Sequence, residues 1–326
     1  MTDAKHKWQD WRALAKVVPE PEDPEVIGGR NAELFLQRMV KNNLRFKSAY
    51  FFHSKRVPSP AERRRYEIDL IVLTKKQIHI IEVKNLSGAI TANADKWIQT
   101  KRNGMQVLME SPIVRNDRKM RVLETHLQKC GVDLDSSYFS QRVVLMNPNV
   151  NLCRVVAHSP RVIQRHQLDK YLKRSGGIGF GEQLIHSVIE YCLDTEASDA
   201  VLDGMFQSMT SSMQSRIRHS LGCLETFDKV LLYGGKVLPG DILDFRLSRG
   251  PISLAEIQSG EVLSLRWSRN RLLGIANVVL DRPLGILKRG KTSQVVAPGD
   301  SVYFHKVGEK SPMHIDLARV DALIKG

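Results

Sequence analysis

From Gly28-Gly29 onward the apolar residues Ala32, Phe35, Leu36, Met39 and Val40 recur at i, i+3, i+4, i+7 and i+8, which is one buried stripe on an amphipathic helix. The period then changes. Residues 66–74 and 77–84 are rich in Ile, Leu and Val and predict two strands, with shorter strand-like pieces at Ala89–Thr91 and Trp97–Gln99. Pro112 opens a basic helical stretch whose buried stripe is Met120, Leu123 and Leu127. Arg142–Met146 and Arg154–Ala157 predict two more strands and Ile163–Leu172 another helix, giving an α/β order with a sheet at its centre over residues 28–175.

The flanks read differently. Residues 1–27 form an N-terminal extension that ends in the acidic, proline-rich run Pro19-Glu-Pro-Glu-Asp-Pro24, expected to be extended and unpacked. Residues 176–225 read as a helical connector: apolar positions from Leu184 to Leu221 keep a helical period, and Glu182–Asp203 holds six acids and no Lys or Arg. Residues 226–326 predict a small β-rich domain, a barrel or sandwich. Its cues are Tyr233-Gly-Gly-Lys236 and two similar phrases, Lys236–Leu243 and Val295–Val302, each with a Pro-Gly expected to turn the chain.

Charge sharpens this division. The net charge is +14, and all of the excess lies in residues 1–180, with 32 Lys and Arg against 18 Asp and Glu; residues 181–326 hold 17 of each. Such a segment attracts a polyanion, nucleic acid (DNA or RNA) first, although basic domains also occur for solubility alone. The C-terminal half, residues 181–326, is neutral, and its β-rich domain is suited to a protein partner. No apolar run approaches the roughly 18 residues of a membrane span, so an intracellular protein of cytoplasm or nucleus is expected. Cys130, Cys153, Cys192 and Cys223 have neither disulfide-framework nor zinc spacing and read as free thiols.

The chemistry concentrates in Tyr66–Lys84. If Lys75-Lys76 is a two-residue turn, paired residue numbers sum to a constant that sets Asp69 opposite Glu82 and Glu67 opposite Lys84. A three-residue loop would put the two acids on opposite faces. In the first register one face carries Glu67, Asp69, Ile71 and Leu73 against Lys84, Glu82, Ile80 and Ile78, and the other carries Ile68, Leu70 and Val72 against Val83, Ile81 and His79. Two apolar faces mark a hairpin covered on both sides, with the charges gathered at one end. Carboxylates with Cβ atoms ~5 Å apart repel by roughly 3 kcal/mol in a partly dry site. Lys84 and a divalent cation, Mg²⁺ or Mn²⁺, would offset that, since hard oxygen ligands suit such an ion. An ion-pair cluster of Lys84 with Glu67 and Asp69 satisfies the same spacing without catalysis. Glu33 borders the apolar stripe of the first helix and reads either as a third acid of the site or as a solvated first-turn acid.

These residues resemble a known family. The series Gly28-Gly-Arg-Asn-Ala-Glu33, Glu67-Ile-Asp69 and Ile80-Ile-Glu-Val-Lys-Asn85, with Gly88 and Trp97 following, is similar to the nuclease-related domain (NERD), a branch of the PD-(D/E)xK restriction-endonuclease-like fold. The resemblance implies a central mixed sheet flanked by helices, a Mg²⁺-dependent phosphodiester-cleaving ancestry, Asp69 and Glu82 as metal ligands, Lys84 as the catalytic lysine and Glu33 as a supporting acid. Where family members often carry Asn-Pro-x-x-Gln, this chain reads Ser111-Pro-Ile-Val-Arg115. The expected function is therefore a metal-dependent nuclease-like protein; the alternative is a catalytically weak or inactive adaptor that binds nucleic acid or protein. The expected nucleic-acid contacts are Arg63, Arg64 and Arg65 upstream of Asp69, and Arg115, Arg118 and Lys119 on the basic helix, all directed at the phosphate backbone.

Overall fold

The structure, a computed structural model, describes residues 2–42, 49–59, 64–93, 95–175, 209–307 and 309–326. The chain divides into two compact units, Glu25–Glu225 and a second one built from Met1–Pro24 together with Thr226–Gly326. Helix α1 (Thr2–Ala15) belongs to the second.

In the Glu25–Glu225 unit, helix α2 (Pro24–Asn42) precedes strands β1 (Tyr50–Ser59), β2 (Arg64–Leu73), β3 (Ile78–Lys84), β4 (Gly88–Asn93), β5 (Lys96–Thr100) and β6 (Gln106–Glu110). Helix α3 (Pro112–Lys129), β7 (Phe139–Leu145), β8 (Val150–Leu152), α4 (Arg154–Ala157), β9 (Val162–Gln164), α5 (Leu168–Ser175) and α6 (Ser211–Gly222) follow. The main sheet has the order β1-β2-β3-β7-β9, antiparallel through β3 and parallel from β3 onward; a second sheet has the order β6-β5-β4-β8. Mixed strands between helices make this a mixed α/β unit.

The central hairpin forms as its pattern requires. Thr74 N–H donates to Gln77 O at 3.0 Å across Lys75-Lys76, and Leu70 to Leu73 pair with Ile81 to Ile78 in the anticipated register. Six of the seven residues of β3 are buried, because β3 is an inner strand covered on both faces. Ile71, Leu73, Ile78 and Ile80 pack with Leu123 and Leu127 of α3 and Ile217 and Leu221 of α6; Leu70, Val72, Ile81 and Val83 pack with Ala32, Leu36 and Val40 of α2. Ile68 departs from its expected face and joins the α3 side. Phe35 also departs from the buried stripe: it is exposed, with the Arg165 guanidinium 4.9 Å from its ring centroid.

Two short segments correct the sequence reading. Arg154–Ala157 is one helical turn following Cys153, since a four-residue run with three apolar residues carries too little period to separate strand from helix. Residues 162–164 are a strand, because Val144 of β7 pairs in parallel with Ile163; the helix begins only at Leu168. Most of the acidic connector, residues 176–208, lies outside the described residues, as does Cys192; Cys130, Cys153 and Cys223 are free thiols.

In the second unit, β10 (Asp228–Leu232), β11 (Val237–Arg246), β12 (Val262–Trp267), β13 (Gly285–Arg289), β14 (Thr292–Val296), β15 (Ser301–Lys306), β16 (Met313–Asp316) and β17 (Val320–Ile324) form one antiparallel sheet. Its order is β14-β13-β12-β17-β10-β11-β15-β16. Val296 and Ile315, from its two edge strands, share one core, so the sheet wraps around a single apolar interior. Pro298-Gly299 turns the chain as expected, whereas Pro239-Gly240 lies inside β11. Gly240 is needed there because a Cβ would run into the His305 carbonyl and the Phe304 ring of the neighbouring β15. The N-terminal segment is not an unpacked lead-in: Trp11 and Leu14 of α1 are buried with Val278 of α7 (Arg271–Val279) and Leu284. The proline-rich run is tied down as well, since Glu20 N–H donates to Tyr233 O at 2.6 Å and Glu20 O accepts from Lys236 N–H at 3.1 Å.

Candidate active site

The site lies where the β2–β3 ladder stops. Paired residues end at Leu70 and Ile81, and on the other edge of β2 the pairing with β1 passes over Ser54 and Asp69, Ser54 holding a φ of 49°. Regular strand pairing is thus interrupted at Asp69 on both sides. Its carboxylate takes over part of the ladder: Oδ2 accepts the Val83 N–H at 2.8 Å. This fixes the Asp69 side chain to the strand that carries Glu82 and Lys84.

Glu82 is 1% exposed, and its two oxygens meet two different ammonium groups. Oε1 accepts from Lys84 Nζ at 2.6 Å, and Oε2 accepts from Lys119 Nζ. Lys119 Nζ also stands 3.6 Å from Asp69 Oδ1, so one ammonium bridges both carboxylates. Lys84 is the more accessible lysine, with its side chain 28% exposed against 4% for Lys119. Two carboxylates and two ammoniums make a locally neutral cluster, the condition under which charges survive burial.

Helix α3 is placed to deliver Lys119. Asn116, one turn earlier and fully buried, donates through Nδ2 to Ile80 O and Arg142 O, both at 3.2 Å, tying the helix to β3 and β7. Asn116, Lys119, Leu123 and Leu127 are all buried on this one helix face. The stripe visible at Leu123 and Leu127 therefore extends back through two polar residues, and their i−4 and i−7 spacing from Leu123 was the available sequence signal.

The ionisation of the cluster follows from its geometry. Burial alone would raise the Glu82 carboxyl, but the charges and hydrogen bonds of Lys119 and Lys84 outweigh it and hold the group below the usual carboxylate range. Asp69 is raised by burial and by the charge of Glu82. Burial opposes protonation of Lys84, yet Glu82 and Asp69 hold its ammonium above the ordinary lysine range. Glu33 of α2 feels the same cluster: burial, then Asp69 and Glu67, raise it to about 7.

The sequence model of the nuclease-related domain matches residues 28–146. Residues 28–146 are a nuclease-related domain. No curated protein and no solved structure matches the chain.

Within the nuclease-related domain, the motif residues outside the acidic pair have structural work. Gly28 lets α2 approach the loop after β3, where a Cβ would come within 2.9 Å of Asn85 Nδ2. Gly88 opens β4 with a φ of 80° against the Thr100 carbonyl, and Trp97 is buried with Ile90, Val143 and Leu145. The sequence-predicted phosphate contacts divide. Arg63 lies outside the described residues; Arg64 opens β2, paired through its Cα with Ser59. Arg65 is exposed and paired with Glu225, and Arg118 bonds Glu110 at 2.8 Å. Arg115 is exposed and near enough to lower the proton affinity of Lys84. Lys119, expected on the basic surface, is instead inside the site, because α3 turns it toward the two acids.

Asp69 and Glu82 present hard oxygen atoms to one point that already carries a cation, and this donor set fits a divalent ion that keeps most of its water. Among the described residues, no three His, Cys, Asp or Glu side chains gather as a metal-holding group. The protein would thus supply two carboxylates. No helix among the described residues is long and apolar enough to cross a membrane.

Proposed function

We propose that the nuclease-related domain hydrolyses phosphodiester bonds of nucleic acid with a divalent cation, Mg²⁺ or Mn²⁺, held by Asp69 and Glu82. The observation that carries this reading is the convergence of those two carboxylates on a single cationic point beside the more accessible Lys84. When bound there, the divalent ion supplies Lewis-acid polarisation of a phosphate oxygen and a more acidic water. Lys84 places a full positive charge next to that point and stabilises the charge that develops on the phosphate. Arg115 extends the cationic rim on the exposed side and can hold a neighbouring phosphate through a bidentate contact. Glu33, half-protonated near neutral pH, can hold or give up a proton at the edge of the cluster.

The test is a gel assay with double-stranded DNA, single-stranded DNA and RNA in Mg²⁺ or Mn²⁺. Wild-type protein should cut at least one of these substrates, and Lys84→Ala and Asp69→Asn should not. Absence of metal-dependent cleavage from a clean wild-type preparation on all three substrates would overturn the enzyme reading. A second reading, a binding adaptor with weak or lost turnover, is favoured by Lys119 standing at the bridging point and by Ser111 and Arg115 in place of the family's Asn and Gln. It predicts nucleic-acid binding that persists in EDTA, weakens steeply with salt and is unchanged in Lys84→Ala.

A further inference from the structure

The nuclease reading leaves one buried group unexplained, the second lysine. A fully buried Lys is uncommon, and a metal site formed from two acids does not call for one. Lys119 is nevertheless held in place. Asn116 anchors its helix to two strands, Leu123 and Leu127 continue the same buried face, and the ammonium contacts Glu82 Oε2 and lies 3.6 Å from Asp69 Oδ1. Both acids therefore already share a cation, and that cation belongs to the chain.

We propose that Lys119 is a resident cation that occupies the position bridging Asp69 and Glu82 and competes with the divalent ion for it. The proposal rests on the metal-site reading above. Like charges within a few ångströms in a partly dry site repel strongly, so a divalent ion and the Lys119 ammonium cannot both contact the same pair of oxygens. Metal entry requires Lys119 to give up its contact with Glu82. With no metal bound, the same contact keeps the two carboxylates neutralised and the site folded. Lys84 is not displaced in this exchange, because it uses the other Glu82 oxygen. The consequence is a site with weak metal affinity that is set by a residue on α3 and not by the two ligands alone.

Calorimetric titration of Mn²⁺ into the full-length protein tests this. Wild type should bind weakly, Lys119→Gln at least tenfold more tightly, and Asp69→Asn with Lys119→Gln no better than wild type. Lys119→Gln should also unfold at lower temperature in EDTA and regain more stability from Mn²⁺ than wild type does. Equal Mn²⁺ affinity in wild type and Lys119→Gln overturns the competition while leaving the metal site standing. No Mn²⁺ binding in either protein overturns both.

Should the variant not fold, wild type alone answers. With ¹⁵N-labelled lysine, the Lys119 ammonium resonance should move from its buried, hydrogen-bonded position as Mg²⁺ is added. Saturable Mg²⁺ binding with that resonance unmoved contradicts the proposal.

Discussion

Asp69 Oδ2 accepts the backbone N–H of Val83 at 2.8 Å. A side chain of one strand thereby replaces a ladder bond to the next, and the acid that faces Glu82 is held by the backbone of Glu82's own neighbour. The carboxylate pair is a product of strand pairing that ends one residue early, so its geometry is built into the hairpin and does not depend on a flexible loop.

Replacing Asp69 should separate the chemistry from the fold. Asp69→Asn keeps an oxygen for the Val83 N–H while removing a charge, and should abolish metal-dependent cleavage with a melting temperature close to that of wild type. Asp69→Ala also leaves a buried N–H without a partner and should cost about 1–3 kcal/mol of stability in addition. Thermal melts of the two variants beside the gel assay check this; equal destabilisation by both would show that the Val83 bond contributes nothing.

Glu33 gives the domain a pH dependence of definite sign. Its carboxyl is raised from the usual 4.5 to about 7, so between those values the folded state binds more protons than the unfolded one. Its contribution is favourable at pH 4.5 and below and is lost as pH rises through 7. Glu33→Gln removes the penalty of ionising it and should stabilise the metal-free domain by about 1–2 kcal/mol at pH 8, after discounting for its partial exposure, with no gain at pH 4.5. Melting in EDTA at the two pH values measures the difference.

His79 acts in the opposite sense. It is 3% exposed in β3, accepts or donates a 3.3 Å bond between Nδ1 and the Tyr171 hydroxyl, and is lowered by burial to about 4. The unfolded chain takes up a proton near 6.5 and the folded one does not, so stability is full above 6.5 and falls as pH drops toward 4. Between pH 7.5 and 5 the loss amounts to about 2 kcal/mol. The advantage of wild type over His79→Gln, read from hydrogen exchange of the β3 amides, should shrink by that amount over this interval.

The two motif glycines should respond unequally. Gly88→Ala forces a φ of 80° on an L residue and drives its Cβ into the Thr100 carbonyl, and should cost more than 2 kcal/mol. Gly28→Ala meets only the far end of the Asn85 side chain, which can turn away, and should cost less than about 1 kcal/mol. Urea denaturation of the two variants ranks them.

The parts of this site that were legible in the sequence are those fixed by local period and turn length. The hairpin register followed from a two-residue turn between apolar runs, and it placed Asp69 and Glu82 at one end of a ribbon with two buried faces. Lys119 was not legible as a site residue. A lysine in a basic helical run reads as surface, and its partners lie 37 and 50 residues away on strands that only the folded sheet brings under α3. The burial of Trp11 and Leu14 failed to show for the same reason, since Val278 and Leu284 lie more than 260 residues downstream. Pro239-Gly240 misled because Gly served close approach between strands there, whereas Pro298-Gly299 turned the chain. Arg154–Ala157 was simply too short for its period to be read.

The most direct test is a crystal structure of the protein grown or soaked in Mn²⁺, with the ion located by its anomalous scattering. One Mn²⁺ peak should lie in contact with oxygens of both Asp69 and Glu82, with Lys119 Nζ withdrawn from Glu82 Oε2 and Lys84 still bonded to Oε1. Lys119 seated between the two acids at saturating Mn²⁺, with the anomalous signal elsewhere or absent, would contradict it.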